Sequence, residues 1–398
     1  MRIRGITRNV VVLGWVSFFT DLASEMLYPV MPLFLVGTLG ASPALLGLID
    51  GIAEGGSSVL RWLAGALSDR FRRRKPFVTA GYTLSALSKP LMGFAATIGG
   101  WPLFLLGRST DRLGKSIRTS SRDALIADST DPLYRGVAFG LHRAMDTCGA
   151  VAGPLLALLI VTFKPDLPLQ WLFFIALAPG LLSSLLAAIA IRDIAHPPHP
   201  DAKPPPILQR FPAPLWRLIA AAFLFSLGNS SDSFLILRSK ELGLTFAHVI
   251  LAFAIYNAVY ALGALPLGRL SDRIGRKPML IAGWLVYAAV YLGFSLARSS
   301  AAPWFLFAAY GLYQALSEGV TKAFIADVVP RHQRAGAIGL FYTVTGMGQL
   351  IASLLTGWLW NARLLQGRVM PALLIGALFA IFAAPLIATV RVKPPAER

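Results

Sequence analysis

The stretch RSTDRLGKSIRTSSRDALIAD, residues 108–128, places a dense set of charges inside what is otherwise an apolar segment. It continues an apolar run that begins near Trp101, and six ionisable side chains recur in it at helical spacings of three and four: Arg108, Asp111, Arg112, Lys115, Arg118 and Arg122. At about 100° per residue these side chains form one stripe roughly 120° wide, called the charged stripe below. A cation facing lipid at the bilayer centre costs at least ~2.5 kcal/mol. If this helix crosses a membrane, the charged stripe must face water, an acidic partner or a charged ligand.

The composition of the whole chain is that of a membrane protein. Its 398 residues are 56% hydrophobic and 14% charged, whereas a soluble domain carries about 25% charged residues. The net charge of +18 comes from cations placed between hydrophobic runs, a pattern typical of membrane topology rather than of a nucleic-acid-binding face. The single cysteine, Cys148, allows no disulfide framework and no cysteine-based metal site. We therefore expect a lipid-embedded protein with no bound nucleic acid, metal or cofactor.

Twelve apolar stretches are long enough to cross a bilayer, which requires about 20 residues each. They cover residues 10–38, 43–68, 76–98, 101–127, 135–163, 169–191, 215–240, 246–270, 278–297, 303–328, 335–360 and 370–391. Cations cluster before the first stretch and after the even-numbered ones, so the positive-inside rule places both termini in the cytoplasm. We expect an all-α integral membrane protein with twelve transmembrane helices, monomeric and inserted in the cell inner (plasma) membrane.

A proline-rich segment separates two similar halves. Residues 192–214, RDIAHPPHPDAKPPPILQRFPAP, predict a cytoplasmic linker between an amino-terminal six-helix bundle over 1–191 and a carboxyl-terminal six-helix bundle over 215–398. The hexapeptide GALSDR at 65–70 recurs as GRLSDR at 268–273, an offset of 203, and the tripeptide IAD at 126–128 recurs at 325–327, an offset of 199. Two similar offsets in the same order predict two copies of one six-helix unit.

The repeated segments carry a resemblance to a known family. GALSDRFRRRKP after the second stretch and GRLSDRIGRKP after the eighth resemble the paired loop signature of the major facilitator superfamily. The segment from Gly149 to Pro154 resembles a motif that this family associates with antiporters, and Arg108 resembles an arginine near its substrate cavity. The resemblance implies two pseudo-symmetric bundles that transport a solute by alternating access.

A cytoplasmic gate is expected at the loop signatures. Asp69 and Asp272 end membrane helices just where basic residues begin, so each carboxylate can pair with an arginine and with the amino end of a neighbouring helix. With the family motif included, the predicted gating residues are Asp69, Arg70, Asp272, Arg273, Asp128, Arg135, Gly149, Gly153 and Pro154.

Ionisable side chains within the apolar stretches predict proton coupling. A low-polarity setting disfavours the charged carboxylate, so such a group can hold a proton and release it when the cavity opens. The candidate proton-coupling residues lie in the first, second and fifth stretches: Asp21, Glu25, Asp50, Glu54, His142 and Asp146.

The charged stripe also predicts the chemistry of the substrate. Its cations outnumber the acids on the same helix, and guanidinium groups bind carboxylates and phosphates bidentately. The candidate substrate-binding residues combine these cations with hydrogen-bonding and aromatic side chains of other stretches: Arg108, Arg112, Lys115, Arg118, Tyr28, Asn229, Asp232, Tyr313 and Gln314.

These features predict a proton-coupled secondary transporter of a small organic solute with an anionic group. Its partners would be that solute, protons and the lipid bilayer. The segment from Gly149 to Pro154 favours export by proton antiport, and proton-coupled import of an organic anion is the alternative. A membrane enzyme could use His142 as a base oriented by Asp146, one helical turn away, but no serine or cysteine nucleophile is placed with that pair, so we expect no enzymatic activity.

Overall fold

Helices occupy all twelve predicted stretches. The structure, a computed structural model, describes residues 6–71, 74–130, 135–193, 211–329, 334–362 and 369–390; within these helices it leaves out the side chains of residues 58–71 and of a few isolated positions. The first stretch forms α1 (Arg8–Leu27), α2 (Met31–Leu33) and a π-helical turn (Phe34–Thr38). The other helices are α3 (Pro43–Phe71), α4 (Lys75–Phe94), α5 (Gly100–Asp128), α6 (Arg135–Phe163), α7 (Gln170–Ala190), α8 (Ala213–Ser226), α9 (Ser233–Glu241), α10 (Phe246–Ile274), α11 (Arg276–Leu296), α12 (Ala302–Val328), α13 (Arg334–Trp358) and α14 (Pro371–Ala388).

Seven of the helical segments in the described ranges are long and apolar enough to cross a membrane. They are Arg8–Thr38, Leu141–Phe163, Gln170–Ala190, Phe246–Ala264, Arg276–Leu296, Gly336–Trp358 and Pro371–Ala388. Helix α5 is not among them, although its 29 residues exceed the length required. Eight ionisable side chains lower its hydropathy, so neighbouring helices must shield its polar face from lipid.

The chain divides into two compact units. The first falls within Met1–Ala41 and Ile52–Lys203, and the second within Ser42–Gly51 and Pro204–Arg398. The beginning of α3 therefore packs with the second unit, where a Cβ on Gly47 would overlap the backbone of Ser353. The predicted linker over 192–214 stays a prediction, because residues 194–210 lie outside the described ranges.

In the first unit, α1 packs against α6 and α7, and α4 packs against α5 and α7. Glycines set the closest approach of these helices. Gly81 of α4 and Gly114 of α5 face each other so closely that a Cβ on either would lie 2.6 Å from the other's carbonyl oxygen. Close backbone approach brings the polar side chains of α4 and α5 into direct contact.

The internal repeat appears as a pair of equivalent ion pairs. In the first unit, the Arg74 guanidinium lies 3.7 Å from the Asp128 carboxylate. In the second unit, Arg276 lies 3.3 Å from Asp327, and these two residues follow the first pair by 202 and 199 positions. Asp193 also accepts a hydrogen bond from the Arg74 backbone N–H at 3.2 Å. Each ion pair joins the start of one helix to the end of the next helix. The same contact therefore occurs at equivalent positions in both copies of the repeat.

The other predicted gating residues are only partly described. Asp128 makes the ion pair with Arg74, and Arg273 is exposed near the end of α10. The side chains of Asp69, Arg70, Arg135 and Asp272 lie outside the described residues, so their gating role stays a prediction.

The seventh predicted stretch, 215–240, consists of two helices rather than one. Helix α8 ends at Ser226 and α9 begins at Ser233, which leaves backbone carbonyls in the break without helical partners. The Tyr287 hydroxyl donates to the Gly228 carbonyl at 2.8 Å, and the Tyr291 hydroxyl donates to the Ser230 carbonyl at 3.2 Å. Helix α11 therefore supplies the donors that a buried break requires.

Candidate functional site

A polar cavity in the first unit is lined by α1, its continuation α2, α4 and α5. Three of its lining residues are apolar: Leu27, Met31 and Met92. The others are Asp21, Ser24, Glu25, Tyr28, Lys89, Arg108, Asp111, Arg112, Lys115 and Arg118. Five cations and three carboxylates thus line one cavity, and the cations are in excess.

Five of the six residues of the charged stripe line this cavity, as expected if the stripe faces a polar space. The guanidinium-bearing residues are deeply buried: Arg108 is 1% exposed, Arg112 is 7% and Arg118 is 5%. Arg122 differs, because it pairs with Asp123 at 2.9 Å and donates to the Ser17 hydroxyl at 3.3 Å. Arg122 lies one helical turn beyond Arg118. At that position its guanidinium meets the Ser17 hydroxyl of α1 instead of the cavity.

A glutamate of α3 holds two of the arginines. The Glu54 carboxylate lies 3.0 Å from Arg112 Nε and 3.7 Å from Arg108 Nη2. The Tyr28 ring of α1 lies under the Arg108 guanidinium, with its centroid 5.6 Å away. Glu54, predicted to carry a proton, is therefore placed as a counterion that orients Arg108 and Arg112.

Lys89 belongs to the cavity although sequence reasoning did not select it. Its side chain is buried, and its ammonium donates to the Ser85 carbonyl at 2.8 Å and lies 3.6 Å from Asp111. The Ser85 hydroxyl also donates to the Asp111 carboxylate. The sequence contained a signal for this residue, because Lys89 lies in the middle of the predicted transmembrane stretch 76–98. A charged side chain within a membrane helix is a functional-site candidate by default.

Arg118 is a cavity cation with an unused hydrogen-bond donor. Its guanidinium stacks over the Tyr82 ring at 4.7 Å from the centroid. Its Nη1 atom is buried and makes no hydrogen bond to any residue that the structure describes. A buried donor without an acceptor is unfavourable by about 1–3 kcal/mol, and more for a charged group. An anion entering the cavity would relieve that cost.

The remaining predicted proton-coupling residues lie on both sides of the α1–α6 interface. Asp21 of α1 lines the cavity, and His142 and Asp146 lie on α6. Arg143 donates to Asp146 at 3.2 Å, and His142 Nε2 lies 2.9 Å from the Ser17 hydroxyl. Among the described residues, Asp146 forms its ion pair with Arg143, and His142 bonds to Ser17 rather than to Asp146 as an enzymatic pair would require.

Asp50 lies away from this cavity. The spacing of four between Asp50 and Glu54 places them on one face of α3, yet Asp50 packs in the second unit. Its buried carboxylate accepts hydrogen bonds from the hydroxyls of Ser231 at 2.6 Å and Ser233 at 2.5 Å, at the start of α9. The prediction that Asp50 carries a coupling proton is untested.

The predicted substrate residues of the second unit lie near a cluster of tyrosines. Asp232 accepts a hydrogen bond from the Tyr310 hydroxyl at 2.6 Å, and the Tyr313 ring packs 5.3 Å from the Tyr310 ring. Gln314 donates to Glu318 at 3.4 Å. Asn229 lies in the break between α8 and α9. The repeat predicts this contrast with the first unit, because Tyr310 occupies the position that corresponds to Asp111.

Comparisons with known proteins agree with this architecture. The Major Facilitator Superfamily profile matches residues 13–237 and 218–398. An uncharacterized MFS-type transporter of Methanocaldococcus jannaschii is 36% identical over 367 residues, which cover 90% of each chain. A probable 4-methylmuconolactone transporter of Cupriavidus pinatubonensis is 26% identical over 360 residues, covering 83% of this chain and 78% of that protein.

A solved structure shows the same fold. The crystal structure of a nucleoside transporter matches with a TM-score of 0.74 at 15% identity, covering 96% of this chain and 99% of that one. These proteins are transporters rather than enzymes. The chain therefore belongs to the Major Facilitator Superfamily and is a multi-pass membrane transporter of small molecules.

Proposed function

We propose that this transporter carries a small organic solute with a carboxylate or similar anionic group, together with protons. The observation that carries the proposal is Arg118, a buried guanidinium that lines the cavity with an unused hydrogen-bond donor. Guanidinium groups bind carboxylates through two parallel hydrogen bonds. The excess of cations over carboxylates in the lining leaves room for one further negative charge.

Proton coupling follows from competition for the same cations. Asp21 and Glu25 face the cavity cations across a small space. When a solute anion takes one of these cations as its partner, the carboxylate that loses it binds a proton more readily, since a nearby cation favours the ionised form. Anion and proton then favour each other's binding, which is the linkage that symport requires.

Export by proton antiport, which the segment from Gly149 to Pro154 favours, requires the opposite linkage. Proton and solute would then compete, as they do when a cationic solute seeks the same carboxylates. The cavity supports symport of an anion over this alternative because its cations are in excess.

Ligand-dependent thermal stability of the purified protein tests the substrate class. We expect organic carboxylates in a small-molecule library to raise the melting temperature, because a ligand that binds only the folded state stabilises it. In Arg118→Ala, loss of a charge-assisted hydrogen bond of about 1.5–3 kcal/mol should weaken binding of the best acid by about 10- to 100-fold.

Arg217→Ala is the matched control, since Arg217 is an exposed cation at the start of α8 in the other unit. It should leave ligand stabilisation unchanged. If amphipathic cations stabilise the protein and no acid does, the proposed substrate class is wrong.

The direction of coupled proton movement is measured in proteoliposomes that contain a pH dye. An inward gradient of the best-binding acid should acidify the lumen, because anion and proton enter together. Alkalinisation of the lumen under the same gradient would establish antiport instead. Protein-free vesicles correct for passive entry of the neutral acid.

A further inference from the structure

The lining of the cavity changes in polarity along its length, and contacts between helices show which side chains lie at the same level. Met92 Cγ of α4 lies 2.7 Å from the position that a Cβ on Gly107 of α5 would occupy. The Tyr28 ring of α1 lies 5.6 Å from the Arg108 guanidinium. Arg118 follows Arg108 by ten residues on α5, a helical rise of about 15 Å. The cavity therefore has two ends, called the Met92 end and the Arg118 end below.

The apolar side chains of the lining are gathered at the Met92 end. Leu27 precedes Tyr28 directly and Met31 follows it by three residues, so both lie near the level of the Tyr28 ring. Methionine side chains are unbranched, change rotamer readily and make favourable contacts with aromatic rings. The Met92 end can therefore adapt its shape to an apolar group, and an aromatic ring suits it best.

The cations closest to the Met92 end already have carboxylate partners. The Glu54 carboxylate lies 3.7 Å from Arg108 and 3.0 Å from Arg112. The Lys89 ammonium lies 3.6 Å from Asp111. An incoming anion would have to displace one of these carboxylates, so this part of the cavity offers little for an anionic group.

The cations at the Arg118 end are more available. Arg118 Nη1 is buried and makes no hydrogen bond within the part of the chain that the structure describes. Lys115, one helical turn before Arg118 on α5, also lines the cavity, and its side chain is exposed. Charged donors one turn apart on a helix can contact the two oxygens of one carboxylate. An anionic group therefore gains most at the Arg118 end.

We propose that the transported solute is an elongated acid with an apolar, preferably aromatic group remote from its carboxylate. The carboxylate binds at the Arg118 end, and the apolar group lies against Leu27, Met31 and Met92 at the other. The inference rests on the proposed function, which it extends from one anionic group to the shape and polarity of the whole solute. A short acid would bind the same cations and leave the Met92 end unused.

Ligand-dependent thermal stability tests the proposal with ω-phenylalkanoic acids that carry from one to eight methylene groups. We expect affinity to rise by up to about fourfold for each methylene group that becomes buried, until the phenyl ring reaches the Met92 end. Met92→Gln keeps the side-chain length and adds a polar amide, so it should flatten this dependence on chain length.

Met347→Gln is the matched control, because Met347 is 54% exposed on α13 in the second unit. It should keep the wild-type dependence on chain length. Partition of the longer acids into detergent micelles is the same for both variants, so the difference between them reports binding to the protein.

Photolabelling of the wild type locates the apolar group without any substitution. An ω-phenylalkanoic acid with a diazirine on its ring should label the segment Leu27–Met31 and Met92, and an excess of the unmodified acid should suppress the labelling. Labelling confined to the Arg118 end, or to residues outside the cavity, would overturn the proposal.

The results separate this inference from the proposed function. If short and long acids stabilise the protein equally, or if Met92→Gln keeps the wild-type dependence on chain length, the apolar group does not bind at the Met92 end, while the anionic substrate class stands. Failure of every acid to stabilise the wild type would contradict the proposed function itself. If Met92→Gln does not fold, the photolabelling result decides.

Discussion

Lys89 and Asp111 form a buried ion pair between two helices that line the cavity. Both side chains are less than a tenth exposed, and the ammonium and carboxylate lie 3.6 Å apart between α4 and α5. Removing one partner of a buried pair leaves an uncompensated charge in a low-polarity setting, which is more costly than never having had the pair. The pair therefore constrains which substitutions the protein tolerates at either position.

We expect Lys89→Met to lower the free energy of unfolding by about 3–5 kcal/mol, because Asp111 loses its closest cation. Arg112, 3.9 Å from Asp111, should moderate the loss toward the lower end. The double variant Lys89→Met with Asp111→Asn should recover part of that loss. Thermal unfolding in detergent without ligand measures both effects.

Lys322→Met is the control for the lysine prediction. Lys322 forms a comparable pair with Glu318 at 3.1 Å, but its side chain is 46% exposed. An exposed pair contributes under about 1 kcal/mol, so this variant should melt close to the wild type. Equal losses from Lys89→Met and Lys322→Met would contradict the role assigned to burial.

At the scale of helices, the contact between α1 and α6 depends on glycine. The atoms that a Cβ on Gly149 would meet belong to the Phe18 backbone, which cannot move aside as a flexible side chain could. The family motif that suggested transport direction thus has a direct packing role here. It sets the distance between the two helices.

We expect Gly149→Ala to destabilise the protein by about 1–3 kcal/mol through overpacking, although alanine is the better helix former by about 1 kcal/mol. Thermal unfolding in detergent measures the difference from the wild type. Gly56→Ala in α3 is the control, because a Cβ there meets no atom within 4 Å. If Gly149→Ala is as stable as Gly56→Ala, the close contact does not matter.

The break between α8 and α9 is a helix boundary that the local sequence could have predicted. The run Asn229-Ser230-Ser231-Asp232-Ser233 consists of residues that favour helix caps and compete for backbone hydrogen bonds. The sequence therefore contained a signal for the break within 215–240, but the apolar periodicity on both sides favoured one continuous helix. The tyrosines of α11 that satisfy the broken backbone could not be assigned, because they lie about 60 residues further along the chain.

At the scale of the whole molecule, the distribution of cations predicts the topology. The connection between α6 and α7 holds one cation and one anion, Lys164 and Asp166, whereas Arg192, Lys203 and Arg210 follow α7. By the positive-inside rule we expect the α6–α7 connection outside and the end of α7 inside.

Cysteine labelling checks this topology. In a Cys148→Ser background, we expect a membrane-impermeant maleimide on intact cells to label Asp166→Cys and not Arg192→Cys. Both positions are exposed in the structure, so permeabilised cells should label both. The reverse pattern on intact cells would place the termini outside.

The sequence by itself determined where the apolar helical stretches lie, the repeat, and the charged stripe of α5. These features depend on length and on periodicity within one element, which neighbouring residues encode directly. The same reasoning selected Arg108, Arg112 and Arg118 as residues of one polar face.

Only the tertiary structure decided which charges meet. The Glu54 carboxylate lies beside two arginines, Lys89 pairs with Asp111, and Asp50 accepts hydrogen bonds from serines of the second unit instead of lining the cavity. Each of these contacts joins residues of different helices. Glycine contacts and side-chain packing determine which faces of the helices pack together. The spacing of residues along a single helix does not specify that packing.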